Sequence, residues 1–220
     1  MAETRSGVPD ATGVTRTRAL CGRDLEAVAQ LYRVSFPERV ARLGRERSAR
    51  AWVHDQLELL CARYPRTSFV AEREGRLAGF LILTVPRGGP IPVAGADLER
   101  RRMLRRALTG VYGLPLRAAL DAGLSRLGAL GTGLPLRRTP HVAAIAVDAA
   151  FARSGVGRAL VSRAREVCAG SFRAIWLNVE THHAAAICFY ERLGFRCLRR
   201  GRREQRMWLD LGDPRESAAP

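Results

Sequence analysis

A chain of 220 residues, 47% hydrophobic and 26% charged, has the make-up of a folded protein and enough length to bury a substantial core, which excludes overall disorder. Its formal charge of +16 comes from 37 basic residues, every one an Arg, against 21 acids, so its surface attracts anions, and nucleic acid, anionic membrane and polyanionic cofactors are admissible partners. No uninterrupted apolar run is long enough to cross a bilayer. Cys21, Cys61, Cys168, Cys188 and Cys197 are scattered and never spaced as C-x-x-C, which indicates neither a disulfide framework nor a zinc site and points to a reducing cytoplasm.

Residues 1–13 lack a signal peptide's apolar core and read as a disordered tail, as do residues 212–220. Alternation in 14–20 predicts a half-buried strand. Asp24 is positioned to cap a helix with Leu25, Val28, Tyr32 and Phe36 on one face. A second helix starts at Ser48, with Trp52, Val53, Leu57, Leu60 and Cys61 inward. Residues 67–73 and 77–85 flank Glu74-Gly75-Arg76 and predict an antiparallel hairpin, in which Gly79 marks a bulge or a close backbone approach.

Residues 86–139 differ in texture. A Pro/Gly-rich start leads into two helical patterns separated by 110–115, and the second puts Leu116, Leu120, Leu124 and Leu127 on one face. With ten Arg against three acids, the segment reads as an inserted helical cap packed on its own domain. The sharper alternative is peripheral membrane contact through 98–132, as a basic amphipathic helix on anionic lipid. Beyond it come a strand (141–148), a helix marked by Val156, Leu160, Ala164 and Val167, and a strand (172–180). A last helix, with Ala186, Phe189, Tyr190 and Leu193 on one side, ends at Gly194 in a left-handed cap, and a hairpin across Gly201 closes the chain. Residues 14–211 thus read as a single α/β domain: a mixed sheet with helices on both faces and a helical insertion between the third and fourth strands.

The stretch FARSGVGRAL (151–160) lies between strand and helix, where unpaired N–H groups and the macrodipole favour phosphate. Gly155 and Gly157 remove Cβ atoms that would keep a pyrophosphate off the backbone, and Arg153 and Arg158 bracket the loop. A dinucleotide fingerprint fails because Leu160 occupies the third glycine position, and a Walker loop lacks its G-K-[ST]. For the stretch in isolation a phosphate cradle and an ordinary turn both stand.

The runs VDAAFARSGVGRAL (147–160) and LNVETHHAAAICFYERLGF (177–195) together resemble the two signature motifs of the GCN5-related N-acetyltransferase (GNAT) superfamily, closely over 141–211 and more weakly over 14–85. The resemblance implies a mixed, mostly antiparallel twisted sheet. It also implies an acyltransferase that uses acetyl-CoA as co-substrate and transfers the acetyl group directly to a primary amine of a small molecule or protein. The backbone of Val147 would meet the pantetheine arm, and the amides of Arg153, Ser154, Gly155, Val156, Gly157, Arg158 and Ala159 would cradle the pyrophosphate. His183, Ala186 and Tyr190 would complete the cofactor site. Tyr190 matches the family's tyrosine near the thioester sulfur, where a phenol suits protonation of the departing thiolate. Backbone donors at the splayed strands would stabilise the developing oxyanion.

The chain departs from the family pattern at Ala152, where an Arg or Gln is usual, at Ala149 (often Pro) and at His183 (often Asn). His141, at the start of its strand, and Glu180, at the end of the next, are the two candidates for general base. His182 and His183 are adjacent with no third ligand spaced for them, so no metal is expected. A relative that keeps the scaffold as a CoA-binding or regulatory module is the alternative function. A nucleic-acid-binding protein is not favoured, because no nucleic-acid motif is present and aromatics do not punctuate the basic runs at 100–106 and 196–206. The expected protein is cytoplasmic, a monomer or homodimer. Its basic cap favours an acceptor bearing phosphate or carboxylate.

Overall fold

The computed structural model describes residues 13–112 and 138–212. The tails and the second helical pattern of the insertion lie outside them, apart from Gly13 and Gly212. In chain order the elements are β1 (Arg16–Ala19), a 3-10 turn (Gly22–Asp24), α1 (Leu25–Ser35), α2 (Pro37–Ala41), α3 (Glu46–Arg63), β2 (Ser68–Arg73), β3 (Arg76–Thr84) and α4 (Asp97–Leu108). After the undescribed stretch come β4 (His141–Val147), a 3-10 turn (Ala149–Phe151), α5 (Val156–Cys168), β5 (Ala174–Glu180), α6 (Ala184–Arg192), β6 (Arg196–Arg200) and β7 (Glu204–Asp210).

The strands form one sheet in the order β1-β2-β3-β4-β5-β7-β6. Every neighbouring pair is antiparallel except β4 and β5, so the mixed, mostly antiparallel α/β fold is as expected. The β2–β3 connection has positive φ at both central residues, Glu74 (54°) and Gly75 (71°), the handedness that a tight two-residue hairpin requires. Gly79 answers to both readings of it. The ladder bulges beside it, at Ala78, and a Cβ at Gly79 would sit 2.7 Å from the Ala146 carbonyl and 3.0 Å from Val156 Cγ1.

Alternation of side chains along the strands divides the core in two. Leu81, Leu83, Ile175, Leu177, Met207 and Leu209 point to the face covered by α5, through Val156, Leu160 and Ala164. Phe80 and Ile82 point to the other face, where Val28 of α1 and Val53 and Leu57 of α3 cover them. Asp24 does not cap α1 as expected. Its carboxylate accepts from the Cys21 amide (3.0 Å) and from both terminal nitrogens of Arg18 (2.6 and 2.7 Å), because the chain first makes a 3-10 turn.

Of the insertion, α4 lies against α3 through polar contacts. Asp55 on α3, 1% exposed, accepts from Arg102 (2.9 Å), from Arg106 (2.7 Å) and from the hydroxyl of buried Tyr112 (2.6 Å). Leu98, Leu104 and Leu108 of α4 remain exposed. No described helix is long and apolar enough to cross a membrane.

Candidate active site

The parallel pair β4–β5 is joined only at its start, His141 to Trp176 and Val142 to Leu177. Beyond that the strands separate, opening a cleft of about 470 Å³. A bulge contributes. The β3–β4 register jumps from Ile82↔Ala144 to Leu83↔Val142, which leaves Ala143 without a partner and bends the strand. The Asp148 amide donates to Ala78 on β3, so by alternation the N–H and C=O groups of Val147 and Ile145 face away from β3, into the gap.

At the far end of β4 the loop to α5 holds Arg153 at φ 61° and Gly155 at φ 90°. The first bond of α5 runs from the Ala159 amide to the Gly155 carbonyl (3.0 Å), and the Ser154 amide donates to Phe151 (3.3 Å). Of the seven amides expected to cradle phosphate, those two are engaged within the loop. Val156, Gly157 and Arg158 precede the first helical bond and have no carbonyl of their own helix to meet. Arg73 donates to the Ser154 carbonyl (3.1 Å) and fixes the loop to β2. The two glycines serve different needs. Gly155 supplies a left-handed angle, while a Cβ at Gly157 would lie 3.0 Å from the Phe189 ring, so Gly157 lets α5 close onto α6.

Tyr190, His183 and Ala186 line the cleft from the α6 side, and Glu180 lines it from the end of β5. Tyr190 is buried against Phe189 and Phe195, and burial pushes its phenol up to about 12 while Arg39 opposes the shift, so it is a neutral O–H donor. His141 does not line the cleft. Its ring stacks on Trp176 (4.0 Å) at the closed end, and burial, with Arg39 and Arg206 nearby, pushes its pKa down to about 4. The expectation that His182 and His183 lack a third ligand is corrected. The turn after β5, closed by the His183 amide on the Glu180 carbonyl (3.0 Å), brings one ligand atom each of Glu180, His182 and His183 within 4.8 Å of one another. Cys168 is buried, its thiol pushed up to about 12, whereas Cys188 is exposed.

Sequence reasoning missed the opposite wall, the α1–α2 turn. Ser35, Phe36, Pro37, Glu38 and Arg39 all line the cleft. The signal was Pro37, which bars its predecessor from helical angles, and Phe36 sits at φ −128°, ψ 54°. Arg39 reaches towards Glu180 (4.0 Å) and Glu204 (3.8 Å), and His182 stands 3.8 Å from Glu38. A protein of charge +16 thus carries three carboxylates about one end of this cleft, against Arg39. No residue of 86–112 lines it, so the described part of the insertion does not cap this site.

Residues 118–195 match the model of the Acetyltransferase (GNAT) family. No curated protein matches the sequence. Similar solved structures include a protein of Pyrococcus horikoshii OT3 (16% identity, covering 90% of this chain and 98% of that one, TM-score 0.59). The histone acetyltransferase HPA2 and related acetyltransferase of Corynebacterium glutamicum is similar too (17% identity, 88% and 94%, TM-score 0.58). A third is the PaiA N-acetyltransferase of Thermoplasma acidophilum in complex with coenzyme A (13% identity, 90% and 99%, TM-score 0.57).

Proposed function

We propose that the chain is an acetyltransferase of the GNAT family, which its residues 118–195 match and whose fold it shares, and that it transfers an acetyl group from acetyl-CoA directly to a primary amine of a small molecule or protein. The observation that carries this reading is the splay of β4 from β5, with a neutral phenol and a carboxylate lining one cleft beside a helix N-terminus with unpaired amides. The residues fit the donor. The amides of Val156, Gly157 and Arg158 suit a pyrophosphate, with the Arg153 and Arg158 side chains adjacent. Val147 and Ile145 offer unpaired backbone groups to the amides of a pantetheine arm.

Acetyl-CoA, when bound, supplies a thioester carbonyl for an amine to attack. Glu180 takes the proton that the ammonium must lose, directly or through water, and we favour it over His141 because Glu180 lines the cleft and His141 does not. Tyr190 gives its phenolic proton to the departing sulfur, a role suited to a phenol that burial keeps protonated. Backbone N–H groups facing the splay stabilise the negative charge that develops on the carbonyl oxygen.

Acetyl-CoA titrated calorimetrically into folded protein should bind saturably, and an amine panel followed by free thiol should identify substrates. Tyr190→Phe should lower kcat about a hundredfold with acetyl-CoA affinity retained. Folded protein that binds no acetyl-CoA would end this reading.

A further inference from the structure

On the α1/α3 face of the sheet lies a second cavity, of about 220 Å³. Tyr32, Trp52, Val53, Leu57 and Leu60 wall it, with Gln56 the one amide among them. Its remaining walls, Ala143 and Ala144, are also walls of the cleft. The bulge explains the sharing. With Ala143 unpaired, it and Ala144 turn to the same side of the sheet, so two small residues of β4 form a wall common to both cavities. A larger residue at either position would partition the space.

The two cavities differ in chemistry. Glu38 and Glu180 line the cleft and Glu204 stands beyond Arg39, so three carboxylates against the one guanidinium of Arg39 leave a negative balance that suits an ammonium. Among the described residues the second cavity has no carboxylate, guanidinium or imidazole in its walls. It therefore has no charged group to pair with a phosphate or a carboxylate, whose burial unpaired is costly, and apart from the polar tips of Gln56, Tyr32 and Trp52 its walls are apolar. An apolar cavity of about 150 Å³ holds a benzene, so the space here suits a phenyl or branched alkyl group.

We propose that the acceptor is a primary amine bearing an apolar side group, a phenyl or branched alkyl, that occupies this cavity while its ammonium faces Glu180. The proposal rests on the acetyltransferase reading and turns away from the anionic acceptor that the basic composition favours. Charge complementarity at the cleft and the wall that Ala143 and Ala144 give to both cavities carry it.

The test compares kcat/KM for 2-phenylethylamine, ethanolamine and glucosamine 6-phosphate. It uses the wild type, Trp52→Ala, which removes a wall, and Ala143→Leu, which closes the junction. Acetyl-CoA calorimetry on each variant checks that the fold is kept, and equilibrium dialysis measures 2-phenylethylamine binding directly. The wild type should prefer 2-phenylethylamine by about tenfold or more, and each variant should lose most of that preference through KM. Turnover of the polar amines equal to that of 2-phenylethylamine, or a preference unmoved in both variants, would overturn the proposal and leave the acetyltransferase reading intact. If no amine is acetylated but 2-phenylethylamine binding disappears in A143L, the cavity is an amine site, and the acetyltransferase reading falls with it only where folded protein also binds no acetyl-CoA. Absence of both turnover and amine binding removes the proposal, and acetyl-CoA calorimetry decides the acetyltransferase reading.

Discussion

Arg153 adopts a left-handed backbone angle, φ 61°, in the loop ahead of α5. A non-glycine residue there is strained by about 1 kcal/mol. The family that this chain resembles has its Arg or Gln one position earlier, where this chain has Ala152, and on the proposed reading the strain at Arg153 brings a guanidinium to the phosphate cradle. Arg153→Gly separates the two effects: melting temperature should rise slightly, while calorimetric affinity for acetyl-CoA falls about tenfold, the worth of one exposed charge-assisted contact. Unchanged affinity would mean that the arginine is incidental. His141 offers a second test at the same scale. Its pKa is pushed down to about 4 from an ordinary 6.5, so between those values the unfolded chain takes up a proton that the folded protein refuses. The stability this gives is complete above pH 6.5 and is lost as pH falls through 4, about 2 kcal/mol having gone by pH 4.5. His141→Phe keeps a ring on Trp176 and removes the titration. Urea unfolding at pH 7 and 4.5 should therefore show a shallower loss in the variant, and an equal loss would dismiss the coupling.

At the scale of elements, α4 is held by charge rather than by apolar burial, since none of its residues is buried. Burial alone would push the Asp55 carboxyl up, yet the bonds from Tyr112 and Arg106 outweigh it and hold the carboxyl below the usual range. Asp55→Ala leaves the Tyr112 hydroxyl and two guanidinium groups without their acceptor. It should cost about 2 kcal/mol, because the arginines are a third exposed and solvent screens part of their share. Hydrogen exchange should rise over 97–112 while β4 and β5 keep their protection; uniform protection would show that other contacts hold α4. None of this was legible in the sequence. Asp55 and Tyr112 are 57 residues apart, and no periodicity links an aspartate within one helix to arginines in another. By contrast, α1, α3, α5, α6, the hairpins, Gly194 in its left-handed cap (φ 91°) and the loop before α5 follow from local spacing and glycine chemistry and were readable, whereas the short α2 was not. The cleft was legible on its β4 and α6 walls, where motifs are contiguous. It was not legible in the α1–α2 turn or in the apolar cavity behind Ala143, which exist only once distant segments pack.

Over the whole molecule, a charge of +16 works against compactness, and the folded state answers with carboxylates tied to guanidinium groups. Asp24 is the clearest case. The hydrogen bond from Arg18 holds its carboxyl well below the ordinary range, and Arg18 also binds Glu72, joining β1, β2 and the turn into α1. Asp55 does the same between α3 and α4. Both carboxyls have lowered pKa values in the fold, so the stability they contribute is present above the unfolded value of about 4 and is lost as pH falls below it. Over the same range the acids that offset 37 arginines are neutralised, and self-repulsion grows. Salt distinguishes the two effects, because it screens repulsion between exposed charges and does not restore a protonated carboxyl to its partner. The melting temperature should hold steady from about pH 7 to 5 apart from the His141 contribution, then drop steeply below about pH 4. Raising salt from about 20 mM to 0.2 M should recover only part of that drop. The double variant Asp24→Asn, Asp55→Asn should start lower at neutral pH and lose less between about pH 5 and 3, since its anchors no longer titrate. An acid limb as steep in the double variant as in the wild type would mean that net repulsion alone unfolds this protein in acid.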